Sequence, residues 1–333
     1  MTTFSSALLR RARIRVPAPV LLLIGMFVLH AGSASAVRLF DSVGPGGVTW
    51  LRLCWAALIL LAVSGRSLLP AVRASSWREL GAVVILGTVS AGMMAFYSEA
   101  TARIDLGTAT SLEFLGPLAV GVLALRRRRE LVWIAAAVSG VLCLTRPWTG
   151  DADPVGVGLG LAGAVCVALY VVLAQRVGGS FGAVHGLALA MTVSAVVTAP
   201  LGAPAVVADP DPRVLLSTFG VALLFPLLPF LLEMVALQRM SRTAYSTFVS
   251  LDPAVSLLMG MIVIAQTPAP VQVVGMALVV VAGIGSARYN GAAPAAQDPA
   301  QRDPAAEDPA APERGAAERP ARAAAPATDP VGV

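Results

Sequence analysis

Two stretches of this chain, Thr108-Ala-Thr-Ser-Leu-Glu-Phe-Leu-Gly-Pro117 and Ala244-Tyr-Ser-Thr-Phe-Val-Ser-Leu-Asp-Pro253, fall into register when their prolines are aligned. Arg103 and Arg239 then match as well, because each lies fourteen residues before its proline. The register is shared over some twenty positions, although few residues are identical. The pattern predicts an internal repeat.

The composition is that of a membrane protein. Of the 333 residues, 57% are apolar and 13% are charged, and the mean hydropathy is +0.78. An ordinary soluble domain is less apolar and carries about twice as many charges. The charges gather at short intervals between long runs of Ala, Val, Leu and Gly, which is typical of membrane helices. The net charge of +5 does not indicate nucleic-acid binding, because the arginines are spread over separate loops.

Ten segments approach the ~20 largely apolar residues that a spanning helix needs. They are 18–37, 45–64, 80–102, 106–125, 131–148, 155–175, 183–200, 214–236, 243–264 and 270–288. We therefore predict an all-α integral membrane protein with ten transmembrane helices. The glycines of Gly156-x-Gly-x-Gly-x-x-Gly163 lie inside one of these helices, so we interpret them as helix-packing residues and not as a dinucleotide loop.

The arginines fix the expected orientation. Loops numbered from an internal N-terminus place fifteen arginines inside, including the run Arg126 to Arg129, and only four outside. The positive-inside rule then places both termini in the cytoplasm, in a bacterial inner membrane. An alternative is a cleaved secretory signal, since Arg10 to Arg15, an apolar stretch and the triplet Ala34-Ser35-Ala36 fit that pattern. Cleavage would leave nine spans.

Four regions follow from these boundaries. We predict a basic cytoplasmic N-terminus over 1–16, a first five-helix repeat over 17–148, a second over 153–289 and a cytoplasmic tail over 290–333. The tail has almost no aliphatic bulk and is expected to be disordered. Because five crossings per repeat is an odd number, the second repeat enters the membrane from the opposite side. Such inverted repeats can rock about a site near the midplane, as a carrier requires.

Three strings resemble the EamA branch of the drug/metabolite transporter superfamily, most closely its threonine/homoserine exporter type. They are Gly46-Gly-Val-Thr-Trp-Leu-Arg52, Ser111-Leu-Glu-Phe-Leu-Gly-Pro-Leu-Ala119 and Leu232-Glu-Met-Val-Ala-Leu237. The resemblance spans residues 17 to 288. It implies a five-plus-five inverted fold and efflux of small neutral amino acids driven by the proton gradient. Two departures are that Asp252 stands where the family usually has Glu, and Ala265-Gln266 where it often has Gly-Glu.

Ionisable groups within the predicted spans are functional candidates, because a charge at the bilayer centre costs from ~3 kcal/mol upwards. They are Arg52, Glu99, Glu113, Glu233 and Asp252. Glu113 and Asp252 lie near the middle of their helices, each shortly before an aligned proline. Pro117 and Pro253 can bend or break those helices and free a carbonyl to face the same cavity.

An amino acid would present its ammonium to Glu113 or Asp252. Its carboxylate would meet Arg52 or Tyr and Ser hydroxyls. We expect Glu113 to be the proton-coupled group, with Glu233 second. A carboxyl group buried within the membrane can take a proton from one side and release it to the other. Further candidates for the cavity lining are His30, Tyr97 and Tyr245.

Structural alternatives exist for each of these residues. Arg52 and Glu113 could form a fixed ion pair, and Glu99 and Glu233 could reach an interface from helix ends. Asp252 could serve as a helix cap around Pro253 and have no other role. His30 and the tyrosines could be packing groups. The three cysteines are not spaced for a disulfide framework or a zinc site, and we assign no cofactor and no metal.

The expected partners are a small-molecule cargo, protons and membrane lipids, in a monomer or a homodimer. Other functions fit the sequence less well. An exporter of drugs or other metabolites would use the same scaffold. A membrane enzyme acting on a lipid-linked substrate would need a metal cluster or a nucleophile-base pair, and the sequence offers neither. A structural or regulatory partner would not depend on Glu113.

Overall fold

A computed structural model of the chain describes residues 16–123, 131–146, 149, 153–181, 183–237, 239–240 and 242–292. The described residues form helices and connecting turns, with no strand among them, which confirms the all-α class. Most of the predicted basic N-terminus, the arginine run at 126–129 and the predicted tail beyond residue 292 lie outside the described residues.

The helices follow the order of the predicted spans. They are α1 (Ala18–Val37), α2 (Phe40–Ser64), α3 (Trp77–Thr101), α4 (Leu106–Leu123), α5 (Leu131–Thr145), α6 (Pro154–Phe181), α7 (Ala183–Ala208), α8a (Pro212–Ala222), α8b (Leu228–Leu237), α9a (Arg242–Val249), α9b (Asp252–Ile264) and α10 (Pro270–Ala292). A short helix, Leu68–Ala74, follows α2. Helix α2 begins before the predicted residue 45, and Gly44 supplies a positive φ of 71° at its kink.

Seven stretches in the described part of the chain are long and apolar enough to cross a membrane. They are Ala18–Val37, Phe40–Ala74, Trp77–Thr101, Pro154–Ala174, Val184–Ala208, Pro212–Phe230 and Thr247–Ile264. Two shorter apolar helices cover Val132–Thr145 and Pro270–Gly285. The chain is therefore a multi-pass membrane protein.

Helix ends at the polar surface carry side-chain caps. Ser76 and Glu79 form a capping box at the start of α3. In this motif each side chain accepts a hydrogen bond from the backbone N–H of the other residue. Asp153 accepts hydrogen bonds from the amides of Val155 and Gly156 at the start of α6. Asp211 caps α8a in the same way. These caps fix where the helices begin.

Two of the helices are interrupted near their middle. Between α8a and α8b, residues Leu223–Leu227 make a wider turn in which Phe225 has non-helical angles, directly before Pro226. Helix α9a ends at Val249, and α9b starts at Asp252 with Pro253 in its first turn. Helix α4, by contrast, continues through Pro117. The breaks therefore lie in the second half of the chain.

The pairing of helices follows a regular pattern. Helix α3 packs against α6 and α8b against α1, while α4 packs against α6 and α9b against α1. The pairs α2 with α7, α4 with α9b and α5 with α10 complete the pattern. If every helix number is advanced by five, the pairs α3 with α6 and α4 with α6 become α8b with α1 and α9b with α1, and the other three pairs are returned unchanged.

Contacts between loops define the two ends of the bundle. At one end, Arg38 donates to the carbonyl of Val263, and Arg103 lies 3.7 Å from Asp153. We call this the Arg103 end. At the other end, Ser67 lies 3.0 Å from Nε2 of His185, and we call it the His185 end. The loops after α1, α3, α5 and α9b thus meet at one end, and those after α2 and α6 at the other.

Small residues allow close helix contacts, as the glycine pattern predicted. A β-carbon on Gly116 of α4 would lie 2.2 Å from the carbonyl oxygen of Ala164 in α6. On Gly160 it would meet Leu112 at 2.7 Å, whereas at Gly158 nothing lies within 4 Å. The backbones of α4 and α6 therefore approach each other as small-residue membrane interfaces do.

Candidate functional site

Arg52 lies in the middle of α2 and is almost fully buried, with 1% of its surface exposed. Its guanidinium carbon sits 4.3 Å from the ring centre of Phe225, and one nitrogen approaches the sulfur of Met94 at 3.6 Å. Among the described residues its Nε atom has no hydrogen-bond partner. The break at Phe225 thus places an aromatic face against a buried cation.

The charge of Arg52 is only partly compensated by these contacts. Burying an ion costs several kcal/mol even after relaxation, whereas a cation–π contact returns about 2 kcal/mol when it is desolvated. The fixed ion pair with Glu113 that we considered as an alternative is not among the ion pairs of the described residues. Arg52 is therefore a buried cation without a carboxylate in an ion pair with it among the described residues.

Glu113 lies on α4 and is partly accessible. Its carboxyl group interacts electrostatically with Asp252 and with Arg52. One of its oxygens lies 3.6 Å from the position that a β-carbon would occupy on Gly163 of α6. The absence of a side chain on Gly163 leaves space beside this carboxyl group.

Asp252 accepts or shares a hydrogen bond with His30, whose Nε2 lies 3.0 Å from its Oδ1 atom. His30 is buried on α1, whereas the Asp252 side chain keeps 22% of its surface exposed. The contact joins the first predicted repeat to the second. His30 therefore contacts one of the two central carboxylates.

A cavity of about 210 Å³ adjoins Asp252. Helices α1, α8b and α9 surround it, and its lining is apolar apart from Asp252 and Glu233. The residues are Leu22, Gly25, Met26, Leu29, Pro226, Pro229, Phe230, Glu233, Val249 and Asp252. A small apolar chamber with two carboxylates suits a cargo that combines a positive group with a short aliphatic part.

Glu233 accepts a hydrogen bond from the hydroxyl group of Tyr245, which links α8b to α9a. Tyr170 on α6 interacts electrostatically with both residues. The three side chains are half-buried. Glu233 therefore lies inside the bundle and lines the cavity, although it is close to the end of its helix.

Tyr97 belongs to a second polar cluster, nearer the Arg103 end. Ser33 donates to its hydroxyl group at 3.2 Å, and Thr110 lies 2.9 Å from the same oxygen. Thr110 in turn lies 2.7 Å from Ser256, which donates to the carbonyl of Leu106. The four hydroxyl groups come from α1, α3, α4 and α9b. All four residues are buried.

Glu99 is separate from the central residues. It lies 3.9 Å from Arg103, and both side chains are more than one-third exposed. Gln266, at the position where the family often has Glu, accepts a hydrogen bond from the amide of Leu106 at the start of α4. Gln266 and Arg103 line a polar cavity of about 330 Å³ at the Arg103 end.

Several residues of the site did not emerge from the sequence. Phe225 and Met94 were hidden among apolar residues, although Pro226 and Pro229 could have indicated the break in α8. The hydroxyl groups of Ser33, Thr110 and Ser256 carry no sequence signal of their own. Among the described residues, no three His, Cys, Asp or Glu side chains are grouped as metal ligands would be.

The arrangement brings one cation and several carboxylates together within the bundle. Glu113 interacts electrostatically with both Arg52 and Asp252. Glu233 lines the same cavity as Asp252. Such a set can hold a zwitterion by its two charged ends. It offers no nucleophile beside a base, so the geometry favours binding over covalent chemistry.

Comparison with known proteins agrees with this geometry. Residues 154–287 match the EamA-like transporter family. The chain is 33% identical over 277 residues to the threonine/homoserine exporter RhtA of Escherichia coli (strain K12), which covers 80% of this chain and 90% of that protein. The protein of the same name from Salmonella typhimurium (strain SL1344) is 33% identical over 282 residues, with the same coverage.

The fold is also found among solved structures. One crystal structure superposes with a TM-score of 0.55 and covers 82% of this chain and 97% of its own chain. The sequence identity is 18%. The architecture is therefore shared beyond the range of clear sequence similarity.

Proposed function

This chain belongs to the EamA-like transporter family, and on that premise we propose that it exports small neutral amino acids of the threonine or homoserine kind, or related metabolites, by proton antiport. Family membership confirms the resemblance drawn from the sequence and identifies the chain as a membrane transporter and not an enzyme. The observation that carries the cargo proposal is a buried Arg52 that forms no ion pair among the described residues but interacts electrostatically with Glu113, which in turn interacts with Asp252.

The ten helical segments form two five-helix repeats of opposite sense in this proposal. The main helix pairings support it, since the pairs α3 with α6, α4 with α6, α2 with α7, α4 with α9b and α5 with α10 each have a counterpart when the halves are exchanged. The alternation of loops between the two ends also supports it. By the positive-inside rule, the Arg103 end faces outward and both termini are cytoplasmic in the bacterial inner membrane.

The cargo is held by its charged ends. Its carboxylate pairs with Arg52, and its ammonium with Asp252 or Glu113. A bidentate pair between Arg and a carboxylate is short, strong and geometrically specific. The apolar lining contributed by Leu22, Met26 and Leu29 contacts the side chain of the cargo.

The size of the cavity favours a metabolite over a drug. Pockets for drug-sized ligands measure ~300–1,000 Å³, whereas this cavity is about 210 Å³. A drug exporter on the same scaffold is the second candidate. A resistance screen of an overexpressing strain against a drug panel separates the two candidates.

Glu113 is the proposed proton-coupled group, with Glu233 second. Glu113 interacts electrostatically with Arg52 and Asp252, so a change in its charge alters the field that both ends of the cargo meet. Glu233 is tied to Tyr245. Asp252, held by His30, serves the ammonium in this proposal.

The test is uptake of labelled threonine and homoserine into inverted membrane vesicles that carry an imposed proton gradient. We expect uptake that disappears when an ionophore removes the gradient. No gradient-dependent uptake across a panel of amino acids would overturn the proposal. Uptake that survives the ionophore would leave the cargo class intact and overturn proton coupling.

A further inference from the structure

We propose that the same site also exports basic amino acids of the lysine kind, whose side-chain ammonium binds Glu233. The inference rests on the proposed function, since it keeps the carboxylate of the cargo at Arg52 and the α-ammonium at Asp252. A neutral amino acid offers nothing to Glu233, although this carboxylate lines the same cavity as Asp252. Glu233 is thus a third point of recognition.

The charged groups follow one another along α1. Phe225, which lies against Arg52, packs beside Gly32, since a β-carbon on that glycine would lie 3.1 Å from Cβ of Phe225. Two residues earlier on α1, His30 contacts Asp252. The cation and the first carboxylate are therefore level with neighbouring positions of this helix.

Glu233 lies further along the same helix. A β-carbon on Gly25 would lie 3.5 Å from Cβ of Leu232, the residue before Glu233. Gly25 is five residues before His30, and each residue of a helix advances the chain by 1.5 Å, so the two levels are ~8 Å apart. The site therefore presents a cation, a carboxylate and, about one helical turn and a half later, a second carboxylate.

The space between the two carboxylates has an apolar wall. On α8b, Pro229 and Phe230 precede Glu233 by four and three residues and line the cavity with it, so the three side chains share one face of the helix. The cavity face of α1 has the same spacing and consists of Leu22, Gly25, Met26 and Leu29. A straight aliphatic chain can lie between these two faces.

A lysine-type cargo has charged groups in the matching order. Six bonds separate its two nitrogen atoms, and an extended chain advances ~1.2 Å per bond, which gives ~7 Å. Charge-assisted hydrogen bonds of about 2.8 Å at the two ends cover the remaining distance. Its methylene groups then contact the apolar wall, as the stems of buried lysines do.

The balance of charge favours such a cargo. Glu113 interacts electrostatically with Arg52 and Asp252, and Glu233 interacts with Asp252. With the carboxyl groups ionised, these four described residues carry one positive and three negative charges, a formal sum of −2. A zwitterion leaves this sum unchanged, whereas a basic amino acid reduces it by one. Because an unpaired buried charge is costly, the second ammonium adds binding energy.

Tyr245 leaves Glu233 able to bind a ligand. Its hydroxyl group donates to Oε1 of Glu233, which occupies one of the two carboxyl oxygens. In Glu233→Gln the amide oxygen can still accept this hydrogen bond, but the negative charge is gone. The variant therefore separates the charge of residue 233 from its contact with α9a.

The test measures the equilibrium binding of labelled lysine, norleucine and threonine to the purified full-length protein in proteoliposomes. Norleucine has the four-carbon side chain of lysine without the ammonium. We expect the parent chain to bind lysine at least tenfold more tightly than norleucine. Lysine should also enter inverted vesicles under an imposed proton gradient.

Glu233→Gln should weaken lysine binding at least tenfold and leave the affinities for norleucine and threonine within about twofold. Glu99→Gln is the matched control, because Glu99 is an exposed carboxylate at the Arg103 end. It should leave all three affinities unchanged. Gly25→Ala is a second variant whose β-carbon meets only ordinary contacts of 3.5–3.9 Å. By narrowing the path to Glu233, it should weaken lysine binding more than threonine binding.

Three results would overturn the inference and leave the proposed function standing, provided that threonine still binds. They are lysine binding no tighter than norleucine binding in the parent, unchanged lysine affinity in Glu233→Gln, and lysine that binds but does not enter the vesicles. Failure of every amino acid to bind would instead overturn the proposed function, and this inference with it.

Discussion

Nε2 of His30 lies 3.0 Å from Oδ1 of Asp252, although the two residues are 222 positions apart in the chain. The contact joins α1 to α9b, and therefore joins the first repeat to the second. A second link joins α1 to α9b about one turn away. It runs from Ser33 on α1 through Tyr97 and Thr110 to Ser256 on α9b. A second set of polar contacts between the halves thus lies near Asp252.

Asp252→Asn is expected to lower amino-acid uptake into inverted vesicles by at least tenfold. The amide keeps a hydrogen bond with His30 but no longer offers a charge to the cargo ammonium. The control is Asp211→Asn, which changes an exposed cap at the start of α8a and should leave the uptake rate within about twofold. Comparable uptake in both variants would remove Asp252 from cargo binding.

Arg52→Gln is expected to raise the KM for amino acids by at least tenfold. The inhibition constant of an amine that lacks the carboxylate should not change. Arg213→Gln, at the exposed start of α8a, is the matched control. The thermal stability of Arg52→Gln should not fall, because removal of a poorly compensated buried charge is often neutral or stabilising. An unchanged KM would contradict the assignment.

Glu113→Gln is expected to abolish proton-driven transport while expression and membrane insertion are retained. An amide has nearly the shape of the acid but cannot release a proton. Exchange of labelled for unlabelled cargo across proteoliposomes, without a gradient, should persist. Full gradient-driven activity in this variant would exclude Glu113 from coupling.

Gly116→Ala is expected to lower the melting temperature of the purified protein, because its β-carbon would lie 2.2 Å from the carbonyl oxygen of Ala164. Overpacking of this kind costs about 1–3 kcal/mol. Gly158→Ala, where nothing lies within 4 Å, should leave the melting temperature unchanged. Equal stability of the two variants would argue against close packing of α4 on α6.

Much of the helical framework could be predicted from hydropathy, because a spanning helix needs a long apolar run. The aligned Pro117 and Pro253 also indicated the helices that carry Glu113 and Asp252. The sequence did not reveal that α9 is broken near Pro253 whereas α4 continues through Pro117. A proline can lie within a helix if neighbouring groups satisfy the freed carbonyl. It did not reveal the break at Phe225 either.

The polar contacts could not be predicted for a different reason. A hydroxyl group on a helix can bond to its own backbone, as Ser111 does, or to another helix, as Thr110 does. Both are common, and the choice depends on which way the helix faces. The partner of His30 likewise depends on how α1 meets α9b. Only the packing of the helices decides these contacts.

The central claim is that the site lies between two halves that cross the membrane in opposite senses. It is tested by labelling single cysteines at Ala102 and Arg239, in a chain without Cys54, Cys143 and Cys166, with an impermeant maleimide applied to intact cells. We predict that Ala102→Cys reacts and that Arg239→Cys reacts only after the membrane is opened. Labelling of both positions from the same face would contradict the account.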